Sequence, residues 1–533
     1  MTDIAALEGR LLKDLALRAG PARIQPLAAR AAAAYTRVWR RDPAAPYPAI
    51  NAASMSLLAG DRDGALEIAR RVRLLQRDDG GYWAAATMAE ASVLLGDADT
   101  ARRHLEVAQA RAGDDFAARA TTRRQLRLVA AIMGIDPRII DTLRVPKTIH
   151  YCGHMPEAAP APDAARHELA LVARIDRALA ELDVSFAYGA LAAGADILFV
   201  EALLRRGVRP TIVLPFDRET FVRESVLPYG AAWVARFERC VAKCDVPEPE
   251  GGRYRHDELD FGHGSRRAMG LARLHARRID GAVAQVAAWD GVPSAWEAGT
   301  ASDVARWAAA GGRTMNLGCG WRRPAAPAPS APDPLRRRWM GVLFGDLPRF
   351  STLDDDGLGR FYRGPLAEMG RVVDHHAPRY RNAWGDAVQL AFDSSRQAAA
   401  CALGLRQTVT AQSLTAAGLP PALVPRLALD HGPVLAVADA VQRAHKFAGR
   451  VMTRAARIEP VTPPGQIYAT EAFACEVALD PGAVCDCDYA GRVPTAKDFG
   501  VLPLYAVHPP RLSSAEIEAA LRAPDAAPPA AGA

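Results

Sequence analysis

Hydrophobic and polar residues follow three successive rhythms along the chain. Up to about residue 145, apolar residues (mostly Ala and Leu) recur at helical spacing among Arg, Asp and Glu, and β-branched residues are few. That pattern predicts packed helices. Inside it, Asn51–Val72 and Trp83–Ala110 repeat one design: an apolar helix, a Leu-Leu pair shortly before Gly-Asp, then a second helix opening near an Ala. Gly60 and Gly96 suit the left-handed position that ends a helix, and Asp61, Asp97 or Asp99 can cap the helix that follows.

From 146 to 322 the rhythm changes to short apolar runs alternating with helical stretches. Strands are predicted at Thr148–Tyr151, Val184–Tyr188 and Thr211–Leu214, with helices over about 164–182 and after Gly189–Asp196. Trp289-Asp290-Gly291 and Gly299–Asp303 repeat the order of strand, small-residue loop and helix. Strand–helix alternation with short turns predicts a mostly parallel, Rossmann-like α/β sheet wrapped by helices.

Pro324–Leu335 is Pro- and Ala-rich, so a linker is expected over 323–335. Beyond it, 336–510 has short strands without strict alternation. Trp339–Phe344 runs into Asp346. About forty residues on, a second strand-like run turns over at Gly385-Asp386 and leaves as Val388–Phe392. A helix is expected over 396–409, a strand at Arg426–Asp430, and a turn at His431-Gly432-Pro433 into Val434–Val437. A helix at 447–458 and strands at 465–470 and Leu504–Val507 complete the segment. This order fits an antiparallel sheet of ferredoxin-like type with helices on one face. Residues 511–533 read as a disordered tail. The fold class expected is multidomain: α, then α/β, then α+β.

Composition changes this picture little. The 533 residues are 50% hydrophobic and 24% charged, ordinary for a soluble protein, and the net charge of +6 is interspersed. The one dense basic cluster, Arg336-Arg337-Arg338, borders the linker and reads as a domain edge rather than a nucleic-acid surface. No run of eighteen apolar residues and no apolar signal core occurs, which points to an intracellular, cytoplasmic protein without a membrane span. The eight cysteines include no CxxC pair and no accompanying His cluster, so reduced thiols are expected rather than zinc.

Two places could carry chemistry. In the middle segment, Gly189, Gly194 and Asp196 lie on a Gly-rich turn entering a helix, and Gly299 and Thr300 repeat the arrangement. Such turns can hold phosphate on backbone N–H groups at a helix N-terminus, or simply permit tight connections. Asp196 and Glu201 would be the acids of any cleavage chemistry there. In the last segment, Asp346 and Asp386 end or turn two strands. Paired carboxylates at that position suit Mg²⁺ or Mn²⁺ beside a polyphosphate.

Resemblances add to these readings. The N-terminal units are 36 residues apart, near the roughly 34-residue tetratricopeptide period. Pro46–Ser54 and Gly81–Asp97 resemble the TRAFs-binding region of the apoptosis-signal-regulating kinases, which implies a scaffold or a platform for a protein partner. Residues 146–322 are similar to the SLOG superfamily of nucleotide-sensing Rossmann-like domains, although they contain neither GxGxxG nor a P-loop. Residues 336–510 resemble the class III adenylyl/guanylyl cyclase catalytic domain. The carrying motifs are Phe344–Ser351, Trp384-Gly385-Asp386-Ala-Val388, His431–Val434 and Gly449…Ala455-Ala456-Arg457-Ile458-Glu459.

The cyclase resemblance implies conversion of a nucleoside triphosphate to a 3′,5′-cyclic nucleotide and pyrophosphate at the interface of a homodimer. Asp346 and Asp386 would bind two Mg²⁺ or Mn²⁺ ions per site. Arg457 would stabilise the α-phosphate, and Lys497 would contact the outer phosphates. Three positions depart from the family: its base-reading Lys is Asn382, its base-reading acid is Lys446, and its transition-state Asn is Thr453. The choice of base therefore does not carry over. Two accounts stand: a regulated cyclase, or a nucleotide-responsive interaction module with little turnover. His431, with no partner acid in the sequence, is expected to be structural.

Overall fold

The computed structural model describes residues 6–75, 79–157, 163–250, 254–255, 257–294, 296, 298–321, 337–441 and 443–522. The expected linker, Arg336 and residues 523–533 lie outside them. The chain divides into two compact units, one of Met1–Val145 with Arg278–Gly281 and Pro510–Ala533, the other of Pro146–Arg277 with Ala282–Pro509. No helix among the described residues is long and apolar enough to cross a membrane.

The first unit is helical: α1 (Leu7–Ala16), α2 (Pro21–Arg41), α3 (Pro46–Leu58), α4 (Arg62–Leu75), α5 (Tyr82–Leu94), α6 (Ala98–Arg111) and α7 (Phe116–Met133). The repeated design folds as two helical hairpins, α3–α4 and α5–α6. Gly60 (φ 89°) and Gly96 (φ 78°) take the left-handed conformation at the turns. Asp97 then accepts from Thr100 N at 3.1 Å, and Asp61 from Gly64 N at 2.9 Å. Within each hairpin the first helix is buried on all sides, as Pro48 through Leu58 shows. The second buries only a stripe, Ala65, Ala69 and Val72 in α4 and Ala101, Leu105 and Ala108 in α6. Apolar-all-round helices thus form the inside and amphipathic ones the outside. The C-terminal segment departs from the disordered tail that its composition suggests. Ser514–Arg522 is a helix, and its Ile517 joins the core of Leu12, Ile24, Tyr35 and Leu128.

In the second unit, the middle segment forms β1 (Lys147–Gly153), α8 (Ala164–Glu181), β2 (Val184–Gly189), α9 (Ala195–Arg205), β3 (Thr211–Ile212), α10 (Arg218–Ser225), α11 (Ala231–Val241), α12 (Glu258–Arg278), β4 (Val283–Ala288), α13 (Thr300–Ala309) and β5 (Thr314–Asn316). Its sheet runs β3-β2-β1-β4-β5 with every pairing parallel. The strand order reverses direction between β1 and β4, a topological switch point.

The last segment forms β6 (Arg337–Asp346), α14 (Asp355–Arg363), α15 (Pro365–His376), β7 (Tyr380–Trp384), β8 (Ala387–Phe392), α16 (Ser395–Thr408), α17 (Ala411–Ala416), β9 (Arg426–Asp439), β10 (Ala444–Ala448), α18 (Arg450–Ile458), β11 (Ile467–Thr470), α19 (Glu471–Leu479), β12 (Asp486–Pro494) and β13 (Val501–His508), and α20 is the Ser514–Arg522 helix of the first unit. The sheet order is β12-β13-β11-β9-β6-β8-β7, with β10 on β9.

Three expectations need correction here. The sheet is mixed, because β11 runs parallel to β9. His431-Gly432-Pro433 is no turn but the middle of one long strand, fully paired with β6. Helices cover both faces. Val342 packs with Val451, Met452 and Ala455 of α18, while its neighbour Leu343 packs with α16 and with Phe473 of α19. Adjacent strand residues point to opposite faces, so both must find a cover.

Within this unit α12 docks on α19 along one helical face. A Cβ on Gly270 would stand 2.3 Å from Cys475 Cβ. Arg266 pairs with Glu476 at 2.9 Å, Arg267 with Glu471 at 2.7 Å, and Arg273 reaches Ala478 O at 3.3 Å.

Candidate active site

The antiparallel pairing of β6 with β9 sets Asp346 opposite Arg426. Their side chains meet in an ion pair. The β7–β8 hairpin turns at Gly385 (φ 62°), a left-handed position that favours glycine, and delivers Asp386 beside Asp346. Burial, then the negative charge of Asp346, holds the Asp386 carboxyl above the usual carboxylate range. The two predicted carboxylates are therefore neighbours.

Two further residues belong to the cluster. Arg426 Nε lies 2.9 Å from Oε1 of Glu459, at the C-terminal cap of α18, and its Nη1 lies 3.5 Å from Pro460 O. Glu459 is pushed up to about 7, first by burial and then by the charges of Asp346 and Asp386, against the pull of Arg426. Sequence reasoning placed Glu459 in a motif but gave it no role, and it read Arg426 only as a strand start. Across-strand register was the missing information.

Two carboxylates paired with one guanidinium, and Asp386 beside them, leave an anionic site of hard oxygen donors. No group of three or more His, Cys, Asp and Glu side chains is arranged as a metal cage among the described residues. That donor set fits Mg²⁺ rather than Ca²⁺ or zinc, since Mg²⁺ commonly takes one or two carboxylates and completes its shell with water and substrate phosphate.

The other predicted residues sit on α18, β7, β10 and the segment before β13. Arg457 is half-buried on α18, and Lys497 is exposed in a left-handed conformation (φ 58°) before β13. Among the described residues, neither makes an ion pair with Asp346 or Asp386. Thr453 is exposed, and its hydroxyl donates back to Gly449 O at 3.2 Å. Lys446 lies on β10 and pairs with Asp439, which raises its pKa. Asn382 is half-buried on β7.

His431 is buried and held to about 4, chiefly by burial. Its ring stacks on Trp339, with centroids 5.8 Å apart, and Arg266 lies over the other ring system of that stack, 4.1 Å from the Trp339 centroid. Beside it, Asp430 is fully buried and gripped by Arg454 through two bonds of 2.7 and 2.8 Å, with Thr470 Oγ1 at 2.6 Å. Both residues serve packing.

In the middle segment, Gly194 (φ 93°) and Gly299 (φ 90°) precede α9 and α13. A Cβ on Gly189 would meet the Tyr151 ring at 2.5 Å and one on Gly194 would meet Pro156 at 2.7 Å, so close packing explains both; around Gly299 the space is open. Asp196 and Asp303 are buried and pushed up to about 7, mainly by burial. Thr300 is buried, and Glu201 is paired with Arg236 at 2.6 Å, which leaves it in a structural role.

No protein-family model and no curated protein matches the chain. Solved structures similar to about a third of it include the guanylyl cyclase Cya2 (18% identity, 32% of this chain and 93% of that chain, TM-score 0.29). Others are the adenylyl cyclase CyaB from P. aeruginosa (19%, 33% and 96%, TM-score 0.29) and the guanylate cyclase domain of RhGC from Catenaria anguillulae in complex with GTP (16%, 33% and 98%, TM-score 0.28). At that level the likeness transfers no activity to this chain.

Proposed function

We propose that residues 337–509 act as a nucleotide cyclase, joining the 3′-hydroxyl of a nucleoside triphosphate to its α-phosphate and releasing pyrophosphate. The observation that supports this most is the adjacency of Asp346 and Asp386 at a strand end and a hairpin turn, in an anionic cluster. Divalent cations, when bound, would activate the attacking oxygen and neutralise the leaving phosphates. Asp346 and Asp386 would hold them. Arg457, which makes no ion pair with Asp346 or Asp386 among the described residues, would serve the site of a second copy in a head-to-tail homodimer and stabilise charge on the α-phosphate. Lys497 would bind the outer phosphates, Thr453 would take the place of a second transition-state donor, and Asn382 and Lys446 would face the base. The helical unit would offer a surface to a protein partner, and Gly299 and Thr300 would border a second nucleotide site.

The test is purified full-length protein with Mn²⁺ or Mg²⁺ and each of the four ribonucleoside triphosphates, with products read by mass spectrometry. A cyclic product that disappears in Asp346→Ala supports the reading; no product from any triphosphate refutes it.

One observation favours a second reading, a nucleotide-responsive module with little turnover. Lys446 is engaged by Asp439 and the Thr453 hydroxyl by its own helix, so two positions that should meet substrate are occupied within the chain. Triphosphate binding with metal but no product would decide for it.

A further inference from the structure

Arg426 joins the three parts of the candidate site that come from different elements. It starts β9, meets Oδ2 of Asp346 at the end of β6, and approaches Glu459 and the carbonyl of Pro460 at the end of α18, two and three residues past Arg457. Its side chain and that of Asp346 are each about four-fifths withdrawn from solvent, and Glu459 is further withdrawn. Such a guanidinium can do one of two things to a cation site. It can orient a ligand by holding one of its oxygens, or it can occupy the cation's place and keep the site closed.

We propose that Arg426 and Glu459 are positioning residues for the cation site. Arg426 fixes Asp346 by Oδ2, leaving Oδ1 outside that bond, and Glu459 anchors Arg426 from the far side. Three features favour orientation over occupation. Arg426 meets a single carboxylate oxygen of Asp346, so the carboxylate is not fully enclosed. Among the described residues Arg426 makes no ion pair with Asp386, which sits beside Asp346. The guanidinium of Arg426 also lies 2.9 Å from Glu459 and 3.5 Å from Pro460 O at the end of α18, so it is flanked on a second side as a supporting residue is, and a group that must leave for each cation would gain nothing from that. Supporting residues of this kind typically contribute about 10–100-fold to metal affinity. The same ion pairs connect the carboxylate strand to the helix that carries Arg457, beside the packing of Val342 on Val451, Met452 and Ala455.

This inference rests on the reading of Asp346 and Asp386 as cation ligands, and the experiment separates the two. Mn²⁺ binding to the full-length protein is measured without nucleotide by electron paramagnetic resonance, with the melting temperature recorded for every variant. Wild type, Asp346→Asn, Arg426→Gln, Arg426→Lys, Glu459→Gln and the double variant Arg426→Gln/Glu459→Gln are compared. We expect Arg426→Gln to weaken Mn²⁺ binding about 10–100-fold in protein that is still folded at the assay temperature, with partial recovery in Arg426→Lys. Glu459→Gln should weaken it less, and the double variant should be no worse than Arg426→Gln, because both act through one chain of contacts. Binding equal to or tighter than wild type in Arg426→Gln would overturn the inference and show a guanidinium competing with the cation. Should Arg426→Gln fail to fold, Arg426→Lys and Glu459→Gln carry the same comparison. If wild type binds no Mn²⁺, or Asp346→Asn binds it equally well, the ligand reading itself falls, and the positioning role with it.

Discussion

Asp346 and Arg426 are register partners on neighbouring antiparallel strands, eighty residues apart in sequence, and their side chains join where β6 ends. A carboxylate held in this way cannot swing freely toward solvent, so part of the ordering cost of a ligand is met by the fold itself. The same pairing sets Gly345 opposite Leu427 and Phe344 opposite Ala428, so the position of Asp346 follows from the hydrophobic register of the whole strand.

If the site is shared between two copies of the chain, two inactive variants should complement each other. Arg457→Ala is expected to lower turnover about 10²–10³-fold, the usual effect of removing one transition-state donor, while Mn²⁺ binding persists. Asp346→Asn should abolish turnover by the other route. Co-expressed, the two variants form some mixed dimers with one intact site, and about a quarter of wild-type activity should return. A mixture no more active than its parts would exclude a head-to-tail site.

Stability makes its own prediction at Arg454. Asp430 is fully buried, and its charge is answered by Arg454, Thr470 and the His431 N–H. Arg454→Met strands that carboxylate and should cost about 3–5 kcal/mol, seen as a lower denaturation midpoint of the second unit. Adding Asp430→Leu should recover much of the loss. A double variant as unstable as the single one would show that packing of the Arg454 stem, not its charge, matters.

How much of this was legible in the sequence differs from one element to the next. Gly60, Gly96 and their following aspartates announce the helical hairpins because local sterics alone fix those turns. Gly385-Asp386 likewise marks its own hairpin. Arg426 and Glu459 escaped notice because their roles depend on strand register and on a helix end brought in from elsewhere, neither of which leaves a periodic trace. His431-Gly432-Pro433 misled in the opposite direction. Gly and Pro usually punctuate chains, yet here ten residues of β6 pair along β9 and override the local signal. The C-terminal helix was missed because Ser514–Arg522 is short and lies beside a Pro/Ala-rich end. Ile517 secures it through tertiary packing.

The middle domain should show a pH signature. Asp303, buried near Asp196 with Ser265 as its hydrogen-bond donor and Arg306 and Arg266 nearby, titrates at about 7 in the folded chain against about 4 when unfolded. Between those values the folded state holds the extra proton, so this group's contribution to stability is present below about pH 4 and is lost as pH rises to about 7. Buried His150, held to about 3, and His431 work in the opposite sense, losing stability as pH falls below the usual imidazole range. The difference between proteins isolates the carboxylate. Melting temperatures of wild type and Asp303→Asn, compared from pH 5 to 8, should diverge in favour of the variant as pH rises. A constant difference across that range would show that Asp303 does not titrate there.

Substrate choice gives the last prediction. Thr453 is exposed and returns its hydroxyl to Gly449 O, so it offers nothing outward as it stands. An asparagine there has the longer reach and cannot be satisfied as easily by its own helix turn. A hydrogen bond to a charged group is worth about 1.5–3 kcal/mol, so Thr453→Asn should raise turnover about 10–100-fold if the position faces the transition state. Base choice should not move with it, since Asn382 and Lys446 lie on other elements, β7 and β10. Replacing those two instead, as Asn382→Lys with Lys446→Asp, should sharpen discrimination among the four triphosphates and leave Mn²⁺ affinity unchanged. Separate responses would mean that catalysis and base reading are carried by different elements of one site. A change in Mn²⁺ binding with either set would show that the elements are coupled through the carboxylate cluster.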